Sequence, residues 1–323
     1  MKKIVMLFFI IFLFTISCEK DEKEKIQVPI DSNYTELLEF LKKGFIDRDK
    51  INWIILENKL SELNDKPKDS VIKELLTSIG NNHTHYITKE GRFIFGSFPK
   101  IAMDSSCLLK NNSSSEFTKI SNVSYLNIDS HGYKKVIKDE EYVFNKMKII
   151  SESVNSKFWI IDLRNNSGGS NWVMISSLLP FYNDGILGYT KTLNDEISWT
   201  KRNGSIFNDT TNITEQIIGT RLNFKVNAKK IYVLINHNTS SAAEAVLISL
   251  KSLPNTIILG QKTYGAATMN ANILLNNGDK LVMTSGYMMD SNKNIFPNGI
   301  KPDVELCNEN EIIEYLNKDI MRD

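Results

Sequence analysis

Cysteine is scarce in this chain of 323 residues. Three cysteines, Cys18, Cys107 and Cys307, do not make a disulfide framework, whether or not Cys107 and Cys307 pair in an exported compartment, and none lies in a CxxC or histidine-flanked pattern of the kind that holds a metal, so no metal site and no cofactor are expected. Histidine is scarcer for the work it does: there are four, and any imidazole base must be His83, His85, His131 or His237. No excess of either charge exists, with Lys+Arg 39 against Asp+Glu 38. A net charge of +1 offers no electrostatic footprint for nucleic acid. Neither GxxxxGK[ST] nor GxGxxG occurs, which removes the usual nucleotide cradles. The longest apolar run, Ile4 to Ile16, falls short of the ~20 residues of a spanning helix. That run follows Lys2 and Lys3 and ends on small or polar residues, the layout of a secretory signal over residues 1–17. Cys18 directly after Ser17 resembles a bacterial lipobox, in which the cysteine is lipidated. The charged EKDEKEK that follows reads as a tether, residues 18–32.

What is present is one grammar written twice. KIYVLINHNTSSAAEAVLISL, Lys230 to Leu250, reads as a buried strand, a polar turn and a helix opened by serines. Glu244 in the first turn suits the positive end of the helix dipole. Ser241 stands where free N–H groups, that of Ala242 first, can face a developing oxyanion. On this stretch alone capping is the default role, because serine is a preferred N-cap. FWIIDLRNNSGGSNWVMISSLL, Phe158 to Leu179, repeats the pattern with Gly168 and Gly169 in the loop. Paired glycines after a strand let backbone N–H groups approach an anion.

Together the stretches resemble the core of the C-terminal processing and tricorn-core serine peptidase family. The resemblance rests on five segments in order: IGNNHTHYI (Ile79 to Ile87), IIDLRNNSGG (Ile160 to Gly169), TSSAAE (Thr239 to Glu244), LGQKTYGAAT (Leu259 to Thr268) and NGIKPDVEL (Asn298 to Leu306). It implies an α/β fold, a crotonase/ClpP-like spiral of ββα units with an N-terminal helical cap. It also implies Ser241 as nucleophile, His83 as general base, and Gly168, Gly169 and Ala242 as oxyanion donors. Two positions depart from the family: Ala266 stands where one branch has its base lysine, and Phe296 where the tricorn branch has its orienting glutamate. A partner for His83 is then left open among Asn82, Glu244 and Asp303. Lys262 reads as a solvated charge, Asp162 and Arg164 as braces, and Asn166 as a loop-shaping residue.

The rest of the chain divides around that core. Tyr34, Leu37, Leu38, Leu41 and Phe45, then Trp53, Leu56, Leu60 and Leu63, then Val71, Leu75 and Ile79 repeat at helical spacing, which predicts three helices within a cap at 33–88. Residues 89–118 read as short strands and a polar loop, too few to hold a PDZ module before the core at 119–323. His85, two places past His83, is expected to face away from it. Phe144, Met147, Ile150 and Val154 predict one helical face, and residues 183–228 an irregular, Asn-rich excursion bordering the cleft. Asn277 and Gly278 mark a hairpin, and NENEIIEYLNKDI a closing helix. The expected function is that of an exported, membrane-anchored bacterial lipoprotein hydrolysing peptide bonds as a serine endopeptidase, its partners a peptide or protein substrate and the lipid of its anchor. The alternative is a catalytically inactive peptide-binding lipoprotein of the same fold, with a non-peptide esterase less favoured. Oligomeric state is not legible.

Overall fold

The computed structural model describes residues 32–98, 117, 120, 122–132, 137–220 and 224–322. The signal, Cys18, the tether and Cys107 lie outside them. Two sheets organise the chain. The first is five-stranded and all parallel, in the order β13 (Val304–Glu305), β10 (Thr256–Gly260), β9 (Lys230–Ile235), β4 (Phe158–Asp162), β3 (Val123–Asn127). Every residue of β4 is buried, as a strand covered on both faces requires. Alternation along β4 and β9 sends Trp159, Ile161, Ile231, Val233 and Ile235 into one core and Phe158, Ile160, Tyr232 and Leu234 into another. The first core is closed by α4 (Asp139–Glu152), α5 (Asn171–Ser177) and α7 (Ala242–Leu250), the second by α8 (Glu309–Ile320).

The second sheet is antiparallel and eight-stranded: β2 (Phe93–Phe95), β1 (His85–Ile87), β12 (Lys280–Met289), β5 (Gly185–Thr192), β6 (Glu196–Arg202), β7 (Ser205–Asn208), β8 (Thr211–Asn212), with β11 (Thr268–Leu274) paired to β12 alone. β12 is its spine. On it pack α1 (Ser32–Gly44), α2 (Trp53–Ser61) and α3 (Lys68–Ser78), which bury Tyr34, Leu37, Leu41, Leu56, Leu60, Val71 and Leu75 against Tyr86, Leu281 and Met283. Asn52 caps α2 by accepting from Ile55 N–H at 3.2 Å. The three helical stretches read from periodicity are present.

Two expectations need correction. Most of the stretch expected to be irregular is regular: residues 185–218 form the β5–β8 meander and α6 (Ile213–Ile218). The missed signal is Asn203-Gly204, which joins β6 to β7 with φ of 50° and 75°, the left-handed pair that a two-residue hairpin requires. Trp199 is buried in β6 and donates its indole N–H to Thr190 Oγ1 of β5 at 2.9 Å, so tertiary packing overrides the polar composition. In α4 the buried face is Tyr142, Val143, Met147 and Ile150, with Val154 packed against the same core; of the expected face only Phe144 is exposed. The hairpin of β11 and β12 turns over 275–279, with Gly278 N–H donating to Leu275 O at 2.9 Å. Cys307 is disulfide-bonded, its partner lying outside the described residues.

Candidate active site

Ligands of open parallel sheets bind beyond the carboxyl ends of the strands, and here β4 and β9 end side by side. Leu163 N–H donates to Leu234 O at 2.9 Å, continuing the ladder past the strands. The two loops that follow are then tied together. Ser240 N–H donates to Asn166 O at 3.0 Å, and Ser240 Oγ to Ser167 O at 3.0 Å. Asn236 bridges to Asn165 in both directions at 3.0 Å. Asn166 shapes the glycine loop as its type suggests: its Nδ2 donates to Ile128 O at 2.7 Å, and its Oδ1 accepts from Gly168 N–H at 2.9 Å. Below the loop, Arg164 grips Asp162 through Nε at 3.0 and 3.1 Å and Nη2 at 2.6 Å; the pair braces the strand end and lies outside the cleft lining.

Ser241 caps α7 in an unusual backbone conformation, φ 55° and ψ −118°. A non-glycine residue there stores roughly 1–3 kcal/mol of strain, and its neighbours hold it. Glu244 accepts from Ser241 N–H at 3.0 Å, Thr263 Oγ1 at 2.6 Å, Gly265 N–H at 3.0 Å and Ala266 N–H at 2.7 Å. Burial of this carboxyl raises its pKa, against the opposing pull of those four donors. Glu244 thus pins the Ser241 turn to the 263–266 segment. The Ser241 carbonyl takes Glu244 N–H at 2.9 Å and Ala245 N–H at 3.1 Å, closing the first turn. Ala242 N–H, in that first turn, has no intrahelical acceptor.

The paired glycines allow close contact. Gly168, at φ +105°, leaves no room for a side chain: a Cβ would lie 2.9 Å from Ser241 Cβ and 3.1 Å from Ala242 N. At Gly169 a Cβ would overlap His131 O at 2.2 Å. His131, expected as one of four possible bases, is instead buried behind the loop. Its Nε2 bonds Asp139 Oδ1 at 2.7 Å, its ring packs on Tyr142 at 4.5 Å, and its carbonyl accepts from Ser170 N–H at 2.6 Å. The oxyanion set also narrows. Gly168 N–H is committed to Asn166 Oδ1, which leaves Gly169 and Ala242 as the free donors of the expected three.

Ser241, Ala242, Gly168 and Gly169 line a cleft of about 780 Å³, and His83 lines the same cleft. His83 sits in the turn before β1, where Asn81 Oδ1 accepts from His83 N–H at 3.1 Å, Thr84 N–H at 2.8 Å and Thr284 Oγ1 at 2.9 Å. That carboxamide fastens the turn to β12, a role no local pattern announces. The ring is held by a residue outside the expected candidates: Nδ1 lies 2.6 Å from Thr268 Oγ1. Glu244 is consumed as described, and Asp303 Oδ2 accepts from Ile258 N–H at 2.8 Å; Asn82 has no such contact with the ring. Burial, then the charge of His85, lowers the His83 pKa to about 4, so the imidazole is neutral near pH 7. In the tautomer that carries its proton on Nδ1, that proton is donated to Thr268 Oγ1 and Nε2 holds the lone pair that a general base needs.

His85 does not face away. It lines the cleft too, with Nδ1 2.9 Å from His83 O and its ring 4.9 Å from Phe95. The expectation misapplied strand alternation, whose period of two sets residues i and i+2 on the same face. His237 lies outside the cleft lining, its Nδ1 3.4 Å from Gln261 Oε1. Phe296 packs against the first core, and Ala266 is buried. Among the described residues there is no cluster of three or more potential metal ligands, and no helix long and apolar enough to cross a membrane.

The model of peptidase family S41 matches residues 122–306. The nisin-resistance protein of Lactococcus lactis subsp. lactis is 32% identical over 169 residues, 50% of this chain and 50% of that protein. The carboxy-terminal-processing protease of Bartonella bacilliformis is 26% identical over 199 residues, 58% of this chain and 42% of that one. The chain therefore spans about half the length of the curated relatives it matches. A lipoprotein structure from Streptococcus agalactiae superposes with a TM-score of 0.66 at 19% identity, over 98% of this chain and 100% of that one, a likeness of fold.

Proposed function

From the premise that the chain belongs to peptidase family S41, whose model covers residues 122–306, we propose that it is a serine endopeptidase working through Ser241 and His83. The observation that carries this reading is that a strained serine at a helix start and a neutral imidazole oriented through its Nδ1 line one cleft. Ser241 Oγ attacks the peptide carbonyl while His83 Nε2 takes its proton. The oxyanion of the tetrahedral intermediate is held by Gly169 and Ala242 N–H. His83 then returns the proton to the leaving amine, and water, activated by the same nitrogen, releases the acyl-enzyme. Thr268 takes the place of the carboxylate seen in Ser-His-Asp arrangements; it orients the ring but lends it no charge. The base is accordingly weaker, which suits slow, selective cleavage more than digestion.

The protein acts outside the cytoplasm, tethered through lipidated Cys18, in keeping with its signal-like start. The test is labelling by a fluorophosphonate together with cleavage of a quenched fluorescent peptide library. Wild type is expected to do both, and Ser241→Ala and His83→Ala neither at a measurable rate. Folded wild-type protein that ignores the probe but binds peptides would establish the inactive peptide-binding lipoprotein instead. Undiminished hydrolysis by His83→Ala would refute the assigned base.

A further inference from the structure

The cleft holding Ser241 has two properties that the hydrolytic reading does not use. The first is electrical. Among the described residues its lining comprises serine, threonine, asparagine, glycine and apolar residues with two histidines, and includes no Asp, Glu, Lys or Arg. Both histidines have pKa values lowered by burial, so the walls carry no formal charge near neutral pH. Trp172 and Trp199, packed edge to face at 5.5 Å, and Phe93, Ile197, Val282 and Met288 provide its apolar surface.

The second property is an open strand edge. β11 pairs only with β12, and no described strand covers its other side. The direction of its backbone groups follows from the ladder. Leu275 N–H donates to Asp279 O at 2.9 Å, and Met288 N–H to Ala267 O at 3.0 Å. Bonded positions alternate in an antiparallel pair, so Ile273, Ala271 and, beyond the irregularity between Met269 and Asn270, Met269 face β12. Asn270 and Asn272 therefore turn their backbone N–H and C=O outward. Thr268 turns its carbonyl outward as well, its own N–H being donated to Ala266 O at 2.7 Å. These three residues line the cleft, and Thr268 is the one that holds His83. The open edge thus begins at the proposed base and runs about 13 Å, four residues at strand rise.

We infer that β11 is the substrate-docking strand: an extended, uncharged peptide segment adds to its free edge through Asn270 and Asn272, which delivers an internal bond to Ser241. Backbone pairing supplies register without side-chain identity. The uncharged walls supply selection, since a charged side chain would lose water and gain no partner. This inference rests on the proposed peptidase activity, and the experiment separates the two.

Proline is tolerated on an edge strand where its missing N–H would point outward, so Asn272→Pro deletes the docking donor while sparing the β11–β12 ladder. Asn272→Ala removes only the side chain. On the best-cleaved member of a quenched fluorescent decapeptide library, the proline variant is expected to show a KM about 3- to 10-fold above that of the alanine variant, the loss of one backbone hydrogen bond. N-methylation scanned along the same peptide with wild-type enzyme should impair cleavage at alternate positions, and Lys and Glu scans should impair it alike. Binding of the scanned peptides to Ser241→Ala, read by fluorescence anisotropy, should follow the same alternation whether or not the wild type hydrolyses them. Absence of fluorophosphonate labelling with alternation retained refutes the peptidase and leaves the docking strand. Labelling with no alternation, or equal KM for the proline and alanine variants, overturns the docking strand and leaves the peptidase. A proline variant that does not fold leaves the decision to the N-methyl scan.

Discussion

Thr268→Val removes one hydroxyl and almost no volume, and it acts on a single contact, the 2.6 Å bond to His83 Nδ1. In the tautomer that serves the proposed base, the hydroxyl accepts the proton of Nδ1–H and leaves Nε2 free. Without an acceptor there the proton can move to Nε2, where it blocks abstraction from Ser241. In the transition state the imidazole becomes cationic, and the hydrogen bond changes from neutral to charge-assisted. Such bonds contribute about 1.5–3 kcal/mol, and each 1.36 kcal/mol is tenfold in rate. The expected loss in kcat is therefore roughly 10- to 150-fold, with KM little changed because the contact strengthens only as charge develops. Thr268→Ser keeps the oxygen and should recover most of the rate. The assay is steady-state cleavage of a fluorogenic peptide, paired with the rate of fluorophosphonate labelling and a thermal melt for both variants. A valine variant within twofold of wild type, or a serine variant as slow as valine, would show that the hydroxyl does not orient the base.

The low pKa of His83 has two consequences of calculable sign. The base is neutral above about pH 4, so kcat/KM should climb on an acid limb near that value and stay level through neutrality; a limb near the ordinary 6.5 would contradict a buried, neutral ring. Because folding disfavours the protonated form, stability is fully present above the unfolded pKa of 6.5 and is lost as pH falls toward about 4. The most that this one residue can cost is about 3 kcal/mol, to be read from urea titrations at pH 7 and pH 4. Gly168→Ala, which puts a Cβ 2.9 Å from Ser241 Cβ at φ +105°, should abolish labelling while the protein still folds; retained labelling would mean that the loop does not press on the nucleophile. Glu244→Gln replaces one acceptor oxygen with an NH2 facing N–H donors, and should lower unfolding free energy by about 1–3 kcal/mol and slow acylation with it. Unchanged urea midpoints would place the carboxyl's hydrogen bonds elsewhere.

Much of this molecule was legible in one dimension because local chemistry and tertiary role coincide. β4 and β9 are unbroken apolar runs because both of their faces are buried, and no other placement of such runs is compatible with water. Ser241 and the glycine pair stand directly after those runs, so strand adjacency brings them together. Asn203-Gly204 carried an equally local signal, and the β6–β7 hairpin could have been read from it. His85 was misjudged because residues two apart in an extended segment share a face.

The sequence alone determined the fold class, the Ser241 turn at the start of α7 and the set of candidate imidazoles, since these depend on residues close in the chain whose periodicity and backbone freedom are intrinsic. Tertiary structure alone decided that Thr268 meets His83, that Asn81 fastens the turn to β12, that Gly168 N–H is already taken by Asn166, and that the described residues of the cleft are uncharged with one strand edge open along it. Each of those is a contact or an environment between elements distant in sequence. Hydrogen bonding and burial depend on distance in space, and that distance exists only once both sheets have formed.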